Sequence, residues 1–558
     1  MKRISRPGFW GAIFIVLAVF VAYWPALRGG FIWDDDAYVT NNPLLTGPDG
    51  LRRIWFSFYN QSQYFPLVYT TLRFEYGLWD LNPLGYHIFN VLLHSANALL
   101  VWVVLKRLGL PGAWLAAAIF ALHPVQVESV AWITELKNTE STFFYLLALW
   151  TWLQFARNNS WQFYALTFLL YALALFSKTT ACTLPAAMLL VLWLKREPLN
   201  WQRGLQVAPF LAAGLAMGLL SIWWEQHLGN YKPQYGLSFS AAERLLIATR
   251  AVWFYAGKLL WPVNLTFSYP RWDINAGNPW QYLWAVGCIM VAALLWLGRH
   301  ALGRGPAAAI IFFAAALSPM LGFIPLFTFF YTFVADHYQY LACIGPIALI
   351  AGLATHYSQK WRILLPARYG AALLVLMILA TLTWRQAGAY QNLETLWRDT
   401  LAKNPASWMA HTNLGRLLTA QGNLAEAETH YRKALQLQPK DGDIYYNYGN
   451  LLVKAGRFDE AIAQYRRALQ LNPADAETWN NLGVVLYHEH RTDQAIVSFH
   501  EAIRYRPGFP DAHFNLGNAL FVEHKLDEAV VEYREALRLD PDSTAIKNRL
   551  RALGAPTN

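Results

Sequence analysis

Charge is scarce in this chain: Asp, Glu, Lys and Arg make up 14% of its 558 residues, while 56% are hydrophobic. A soluble domain carries about 25% charged residues, so the balance excludes an ordinary water-soluble protein and indicates a membrane setting. Cysteine is nearly absent. Cys182, Cys288 and Cys343 each fall inside an apolar stretch, which argues against a disulfide framework or a thiolate metal cluster. Also missing are a glycine-rich phosphate or dinucleotide loop, a His-x-x-x-His pair on a polar helix and a Gly-x-Ser-x-Gly elbow, so nucleotide chemistry in the cytoplasm is not expected. The net charge is +10. No basic patch interleaved with exposed aromatics accompanies it, and most Lys and Arg stand at the ends of apolar segments, so membrane topology explains the excess and no nucleic-acid partner is expected.

What the chain has in quantity is aromatic and aliphatic surface. Its 26 Trp and 29 Tyr suit interfacial belts. Apolar windows recur near residues 9–27, 86–105, 112–122, 140–156, 161–177, 179–194, 205–224, 280–298, 306–328, 339–356 and 369–384, which predicts about eleven membrane helices. The first is long and is followed by no small-residue cleavage site, so it is expected to remain as an anchor. If the spans alternate, Lys2, Arg3, Arg6, Lys106, Arg107, Arg157, Lys195, Arg196, Arg203, Arg299, Arg304, Lys360, Arg362 and Arg368 share one side. The positive-inside rule makes that side cytoplasmic. The N-terminus is then cytoplasmic, the loops holding Asp34 and Glu128 are outside, and so is everything beyond Trp384, with the inner membrane as the expected location.

After residue 385 the chain turns polar and repeats itself every 34 residues. Gly415, Gly449, Gly483 and Gly517 keep this period, as do Pro405, Pro439, Pro473, Pro507 and Pro541, Ala427, Ala461, Ala495 and Ala529, and the aromatics Tyr431, Tyr465, Phe499 and Tyr533. This is the tetratricopeptide pattern. Small residues let two antiparallel helices approach, proline stops the second, and stacking buries a seam that one repeat could not bury alone. The expected organisation is a membrane domain over 1–385, a connector and half repeat over 386–407, four repeats over 408–543, and a capping helix and tail over 544–558. A superhelix of this kind offers a concave groove to an extended peptide, or serves as a docking scaffold.

Asp34-Asp35-Asp36 follows the first apolar span directly. Carboxylates this close do not all ionise freely, so at least one is expected to have a raised pKa, as a general base near neutral pH requires. This acidic run, the segment from His123 to Trp132 with Glu128 in it, the stretch from Gly257 to Pro262, and Ala335-Asp336-His337-Tyr338 together resemble the tetratricopeptide-bearing transmembrane O-mannosyltransferases and their bacterial relatives, members of the glycosyltransferase C (GT-C) superfamily. The resemblance covers essentially the whole chain. It implies an all-α protein, a polytopic GT-C-type helical bundle followed by an α-solenoid, that takes a sugar from a polyprenyl phosphate and gives it to an acceptor outside the cytoplasm. Mannose as the sugar, and a protein or peptide hydroxyl as the acceptor, follow from the resemblance alone. It also aligns the family's acidic pair with Asp34 and Asp35. Two departures stand out: Asn138 where relatives carry an acid after Lys or Arg, and Tyr64-Phe65-Pro66 where many bacterial relatives have Trp-His-Pro.

Transfer from a lipid phosphate needs a base, cations for the departing phosphate, and a site at the membrane interface. Asp34 is favoured as base with Asp35 in support, while Asp36 is a neighbour or a surface residue; an extended backbone would place Asp34 and Asp36 on one face and Asp35 on the other. For the phosphate, Arg244, Arg250 and Lys258 fall within roughly 120° of arc if residues 244–261 are helical. Arg250 and Lys258 lead, followed by Lys137 and Lys178, with Arg271 further off; binding of acidic lipid headgroups is the alternative for each. Glu128 and His123 lie at the top of the third span, where ionisable residues are costly and tend to be functional. Asp336 and His337 are further outer-face candidates. No cofactor is required, because Lys and Arg can neutralise a monophosphate; Mg²⁺ or Mn²⁺ on Asp34 and Asp35 is the alternative that clustered carboxylates admit. A second functional class remains: a catalytically silent membrane scaffold whose repeats recruit envelope or polysaccharide assembly partners.

Overall fold

The computed structural model describes residues 6–57, 63–227, 238–324 and 327–556; Lys2 and Arg3 lie outside the described residues. No strand occurs among the described residues, and the chain divides into two units, Met1–Asn404 and Pro405–Asn558. The helices of the first are α1 (Arg6–Ala22), α2 (Pro43–Thr46), α3 (Gly50–Phe56), α4 (Pro66–Trp79), α5 (Pro83–Leu108), α6 (Ala113–Leu122), α7 (Val127–Ala131), α8 (Leu136–Asn158), α9 (Trp161–Ser177), α10 (Leu184–Leu194), α11 (Trp201–His227), α12 (Ala241–Leu260), α13 (Leu283–Leu297), α14 (Arg299–Leu302), α15 (Gly305–Leu317), α16 (Ile344–Lys360), α17 (Leu365–Ala389) and α18 (Leu393–Lys403).

The central member is α5. Asn82 caps its start by accepting from the Leu84 N–H, Pro83 occupies the first turn, Lys106 and Arg107 complement the dipole in the last, and Gly109 ends it at φ +76°. Its buried face is polar as well as apolar: Asn90 donates to the Ile133 carbonyl, and Asn97 donates to the carbonyl of Thr139. A span whose buried polar groups are answered in this way fixes the register of the loops at its mouth.

Four helices are long and apolar enough to cross a bilayer, Pro83–Leu108, Trp201–His227, Pro279–Leu297 and Leu365–Ala389; a fifth candidate is the pair Ala113–Leu122 and Pro124–Ala131, bent by 55°. The shorter apolar helices Gly8–Ala22, Trp161–Ser177, Thr179–Leu194 and Gly305–Met320 occupy other windows among the eleven expected. The difference has local causes. Pro124 breaks the third window, 3₁₀ turns open or close others, and α8 carries Lys137, Glu140 and Arg157 in its 23 residues. The exposed surface is lipid-like: α13 buries none of its residues and presents Leu283, Ile289, Met290, Leu294 and Leu297 outward. A helix apolar on all sides with so little protein against it is solvated by hydrocarbon, so the chain is a membrane protein.

In the second unit, helices pair as α19 (Trp408–Gln421) with α20 (Leu424–Leu437), α21 (Gly442–Lys454) with α22 (Phe458–Leu471), α23 (Ala476–His488) with α24 (Thr492–Tyr505), and α25 (Pro510–Val522) with α26 (Leu526–Leu539), followed by α27 (Thr544–Ala552). The periodic glycines face the periodic aromatics. A Cβ placed on Gly483 would stand 2.5 Å from the Phe499 ring, and one on Gly449 2.6 Å from Tyr465, whereas Gly415 leaves 3.1 Å to Tyr431. A second periodic device has no conserved identity. His411, Tyr445, Trp479 and His513, 34 residues apart, each hydrogen-bond through a ring nitrogen or hydroxyl to the carbonyl of the proline six residues earlier, Pro405, Pro439, Pro473 and Pro507. Each repeat needs a donor there, and three kinds of side chain supply it.

Gly483→Ala is expected to lower stability by about 1–3 kcal/mol through overpacking and Gly415→Ala by clearly less, read as the shift in thermal unfolding of the solenoid signal.

Candidate active site

The acidic run does not form an extended strand. Trp33 adopts φ +49°, Asp35 is helical, and Asp36 opens a single π-helical turn to Thr40. A left-handed conformation is costly for a bulky residue, and here packing holds it: the Trp33 ring meets Trp397 of α18 at 5.1 Å and Phe267 at 5.9 Å, edge to face. The turn separates the three carboxylates. Asp36 is exposed and accepts from the Ala37 N–H. Asp35 is fully buried, and its two oxygens accept from the N–H groups of Ile32 and Thr134 at 2.8 and 3.0 Å. Asp34 lies between, partly exposed, and its side chain makes no hydrogen bond among the described residues.

Burial raises the pKa of both inner acids, Asp34 to about 6 and Asp35 to about 7. The expected cause, mutual repulsion, is secondary. For Asp34 desolvation leads, with Lys137 opposing and Glu135 and Asp36 adding; for Asp35 desolvation outweighs the two N–H bonds, and Asp34 contributes least.

Opposite Asp34, the short helix Ile133–Glu135 delivers Glu135 to the start of α8. Its buried carboxylate lies 2.7 Å from the Lys137 ammonium and 3.8 Å from that of Lys178, and it accepts from the Asn138 amide. Burial pushes its pKa up, yet His337, Lys137 and Lys178 together bring it down to about 2. Lys178 in turn donates to the Asn138 carbonyl oxygen at 2.6 Å, and burial lowers its pKa to about 8. Lys137 also faces the rings of Tyr38 and Trp132 at 5.5 and 5.7 Å. Asn138 thereby gains a role as an amide. Its N–H₂ donates a hydrogen bond to Glu135 while its carbonyl oxygen accepts one from Lys178, a pairing that an ionised carboxylate could not make.

A second group adjoins the first. Glu128 accepts from the His337 N–H at 2.9 Å and lies 3.1 Å from its Nδ1, without hydrogen-bond alignment to that atom. Asp336 is buried and accepts from the Tyr269 hydroxyl; burial first, then Glu128, holds its carboxyl well above the usual range. Lys258 donates to the carbonyls of Val263 and Asn264, lies 5.0 Å from the Tyr269 ring, and feels the charge of Asp336. His123 is structural. One ring nitrogen meets the Leu259 carbonyl at 3.1 Å and the other accepts from Val125, so it clamps the bend after α6 to the end of α12.

The other candidate cations stand apart from Asp34. Arg250 packs 4.5 Å above Trp272 and Arg271 5.3 Å from Phe333, while Arg244 is tied to the carbonyls of Phe239 and Phe323. The structure therefore gathers Asp34, Lys137, Lys178, Glu128 and His337 around Glu135, and leaves Arg244, Arg250 and Arg271 on an aromatic shelf. Sequence reasoning missed Glu135 and Tyr269. The alternation of charge in Glu135-Leu136-Lys137 was the available signal for the first; none marks Tyr269. The acidic pair does not fit a divalent ion well, because both Asp35 oxygens already face N–H donors.

Glu135→Gln leaves two buried ammonium groups without their shared counter-charge. It is expected to cost about 3–5 kcal/mol, with a smaller loss once Lys137→Met is added, measured as unfolding of the purified protein in a double-mutant cycle.

Comparison with known proteins places these observations. Residues 66–224 match the family described as dolichyl-phosphate-mannose-protein mannosyltransferase, residues 415–456 and 449–489 match the TPR repeat, and residues 510–543 match the tetratricopeptide repeat. Among curated proteins, the chain is 27% identical over 517 residues to a protein O-mannosyl-transferase of Drosophila melanogaster, covering 73% of this chain and 59% of that one. It is 26% identical over 438 residues to one of Caenorhabditis elegans (74% and 61%) and 25% identical over 503 residues to one of Homo sapiens (75% and 65%). The chain thus spans about three fifths of the length of these relatives. The chain carries tetratricopeptide repeats and is similar over about three quarters of its length to protein O-mannosyl-transferases.

Proposed function

We propose that this protein is an inverting GT-C glycosyltransferase that moves a hexose, mannose by kinship, from a polyprenyl phosphate to a Ser or Thr hydroxyl of a protein acceptor. In this reading about eleven segments cross the inner membrane, the shorter apolar helices among them, with the N-terminus cytoplasmic and the solenoid outside, where its groove receives the acceptor chain. The observation that carries the chemistry is the Asp34 carboxyl: raised to about 6 by burial, without a hydrogen bond, and in the field of Lys137.

The acceptor hydroxyl gives its proton to Asp34 as its oxygen forms a bond to the anomeric carbon. The bond from that carbon to the phosphate oxygen breaks, and its electron pair stays on the phosphate. Attack and departure on opposite faces invert the configuration. Negative charge leaves Asp34 as it grows on the phosphate, so Lys137, previously balanced in part by Asp34, is released to face the leaving group beside Lys178. Lys258 extends the cationic side toward the donor's phosphate, while Arg244 and Arg250, nearer the start of α12, stand apart from Asp34. Asp35 positions the base by joining the Asp34 loop to Thr134, and Glu128 orients the acceptor through His337. No metal takes part, since the lysines supply the charge that a monophosphate needs.

The test is transfer of labelled sugar from polyprenyl-phosphate hexoses into protein by purified wild type and variants. Asp34→Asn is expected to lower transfer by about 10²–10⁴-fold. In the wild type the rate should climb with pH as Asp34 ionises, level above about 6, and lose that acid limb in the variant. Full transfer by Asp34→Asn with an unchanged profile would remove Asp34 as base, and absence of transfer from every donor would favour the scaffold.

A further inference from the structure

The far end of the bundle has a chemistry of its own. Asn90 of α5 bonds beside the candidate site. Fifteen residues on, about 22 Å at 1.5 Å per residue, Leu105 lines a cavity of about 440 Å³ bounded by α5, α8, α10, α15 and α16. Its walls, among them Val104, Leu149, Val191, Ala348 and Leu349, are apolar throughout; His356 and Tyr357 alone bring polar atoms, and both are exposed at the rim. The recess is half open, and a space lined by apolar side chains holds water poorly. Hydrocarbon is the filling that its lining selects.

The rim adds a sign of charge. The segments 106–112, 195–200, 298–304 and 358–364, which leave the helices at this end, hold eight Lys or Arg and one acid, Glu197. Two guanidinium groups are pinned there. Arg304, next to the lining residue Gly305, donates to the Trp193 carbonyl and packs 5.2 Å from the Trp193 ring; Arg107, between the lining residues Leu105 and Leu108, donates to Gln154. Fixed guanidinium groups at the mouth of an apolar cavity match a ligand with a hydrocarbon chain and a phosphate.

We propose that this cavity is a binding site for an anionic phospholipid, with one acyl chain inside and the headgroup phosphate on the Arg107 and Arg304 side of the rim. The site is separate from the transfer chemistry, and its occupant is a resident lipid of the surrounding leaflet.

The full-length protein, stripped in detergent and re-exposed to equal phosphatidylglycerol and phosphatidylcholine, is analysed for retained lipid by native mass spectrometry. The wild type is expected to keep about one phosphatidylglycerol per chain, at least fivefold over phosphatidylcholine. Ala348→Phe, which fills the cavity, should lower retention at least fivefold, while Ile350→Phe, on the outer face of the same helix, should match the wild type. Arg107→Gln with Arg304→Gln should remove the preference for phosphatidylglycerol and leave chain retention in place. Should Ala348→Phe fail to fold, Leu105→Phe fills the same space from α5. Equal retention of the two lipids by the wild type, or unchanged retention in a folded cavity-filled variant, overturns the proposal.

Discussion

The candidate site in the first unit depends on one buried carboxylate shared by two buried ammonium groups. Glu135 reaches Lys137 from the preceding loop and Lys178 from the end of α9. Two positive and one negative charge leave an excess that solvent cannot relieve, because all three side chains are at least nine-tenths buried. Such an arrangement persists only if further negative charge is close. Asp34 supplies it to Lys137 and Glu128 to Lys178. In the proposed reaction the same lysines would face the donor phosphate, which would tie the proton affinity of Asp34 to that ligand.

The helices reach this point through breaks rather than through long regular spans. Pro124 bends the α6–α7 pair, and His123 answers the bend by binding both Val125 and the end of α12. The extended residue Lys178 ends α9 and directs its ammonium to Asn138. Asn90 and Asn97 of α5 hold the carbonyls on either side of Glu135. Each break frees main-chain groups, and each is met by a buried polar side chain. The polar residues within the apolar windows thus serve the architecture of the mouth as much as its chemistry.

Those parts of the protein whose physics is periodic were legible in the sequence. The 34-residue period located the solenoid helices through Gly449 and Tyr465 because close helix approach and a bulky partner must recur together. Apolar windows located helices, of which four or five are long and apolar enough to cross a bilayer by length and composition, since hydropathy does not register a 3₁₀ turn or a proline that divides a window. At the site, the acidic run drew attention to the loop whose two inner carboxyls have raised pKa values, but for an incomplete reason. Repulsion among neighbours is visible in one dimension; burial, which dominates, is a property of packing. The alternation argument for Asp34 and Asp36 failed because Trp33 is left-handed, held by aromatic contacts from residues 267 and 397. Glu135 was hidden for the same reason: its partners lie 2 and 43 residues away, and no spacing rule joins them.

Asp34 and Asp35 also show why a raised pKa does not by itself identify a base. Asp35 has the larger rise, to about 7 against about 6, yet it is fully buried and each of its oxygens already accepts a main-chain N–H. Asp34 is less perturbed and unencumbered. A carboxylate acts as a base when its lone pairs can reach the substrate in the state that carries the charge, so accessibility of the oxygen ranks before affinity for the proton. The two neighbours divide these properties: the backbone binds Asp35 and so holds the loop, and the loop presents Asp34 beside Lys137, where in the proposed reaction charge lost from Asp34 to a proton is compensated by charge gained on the departing phosphate.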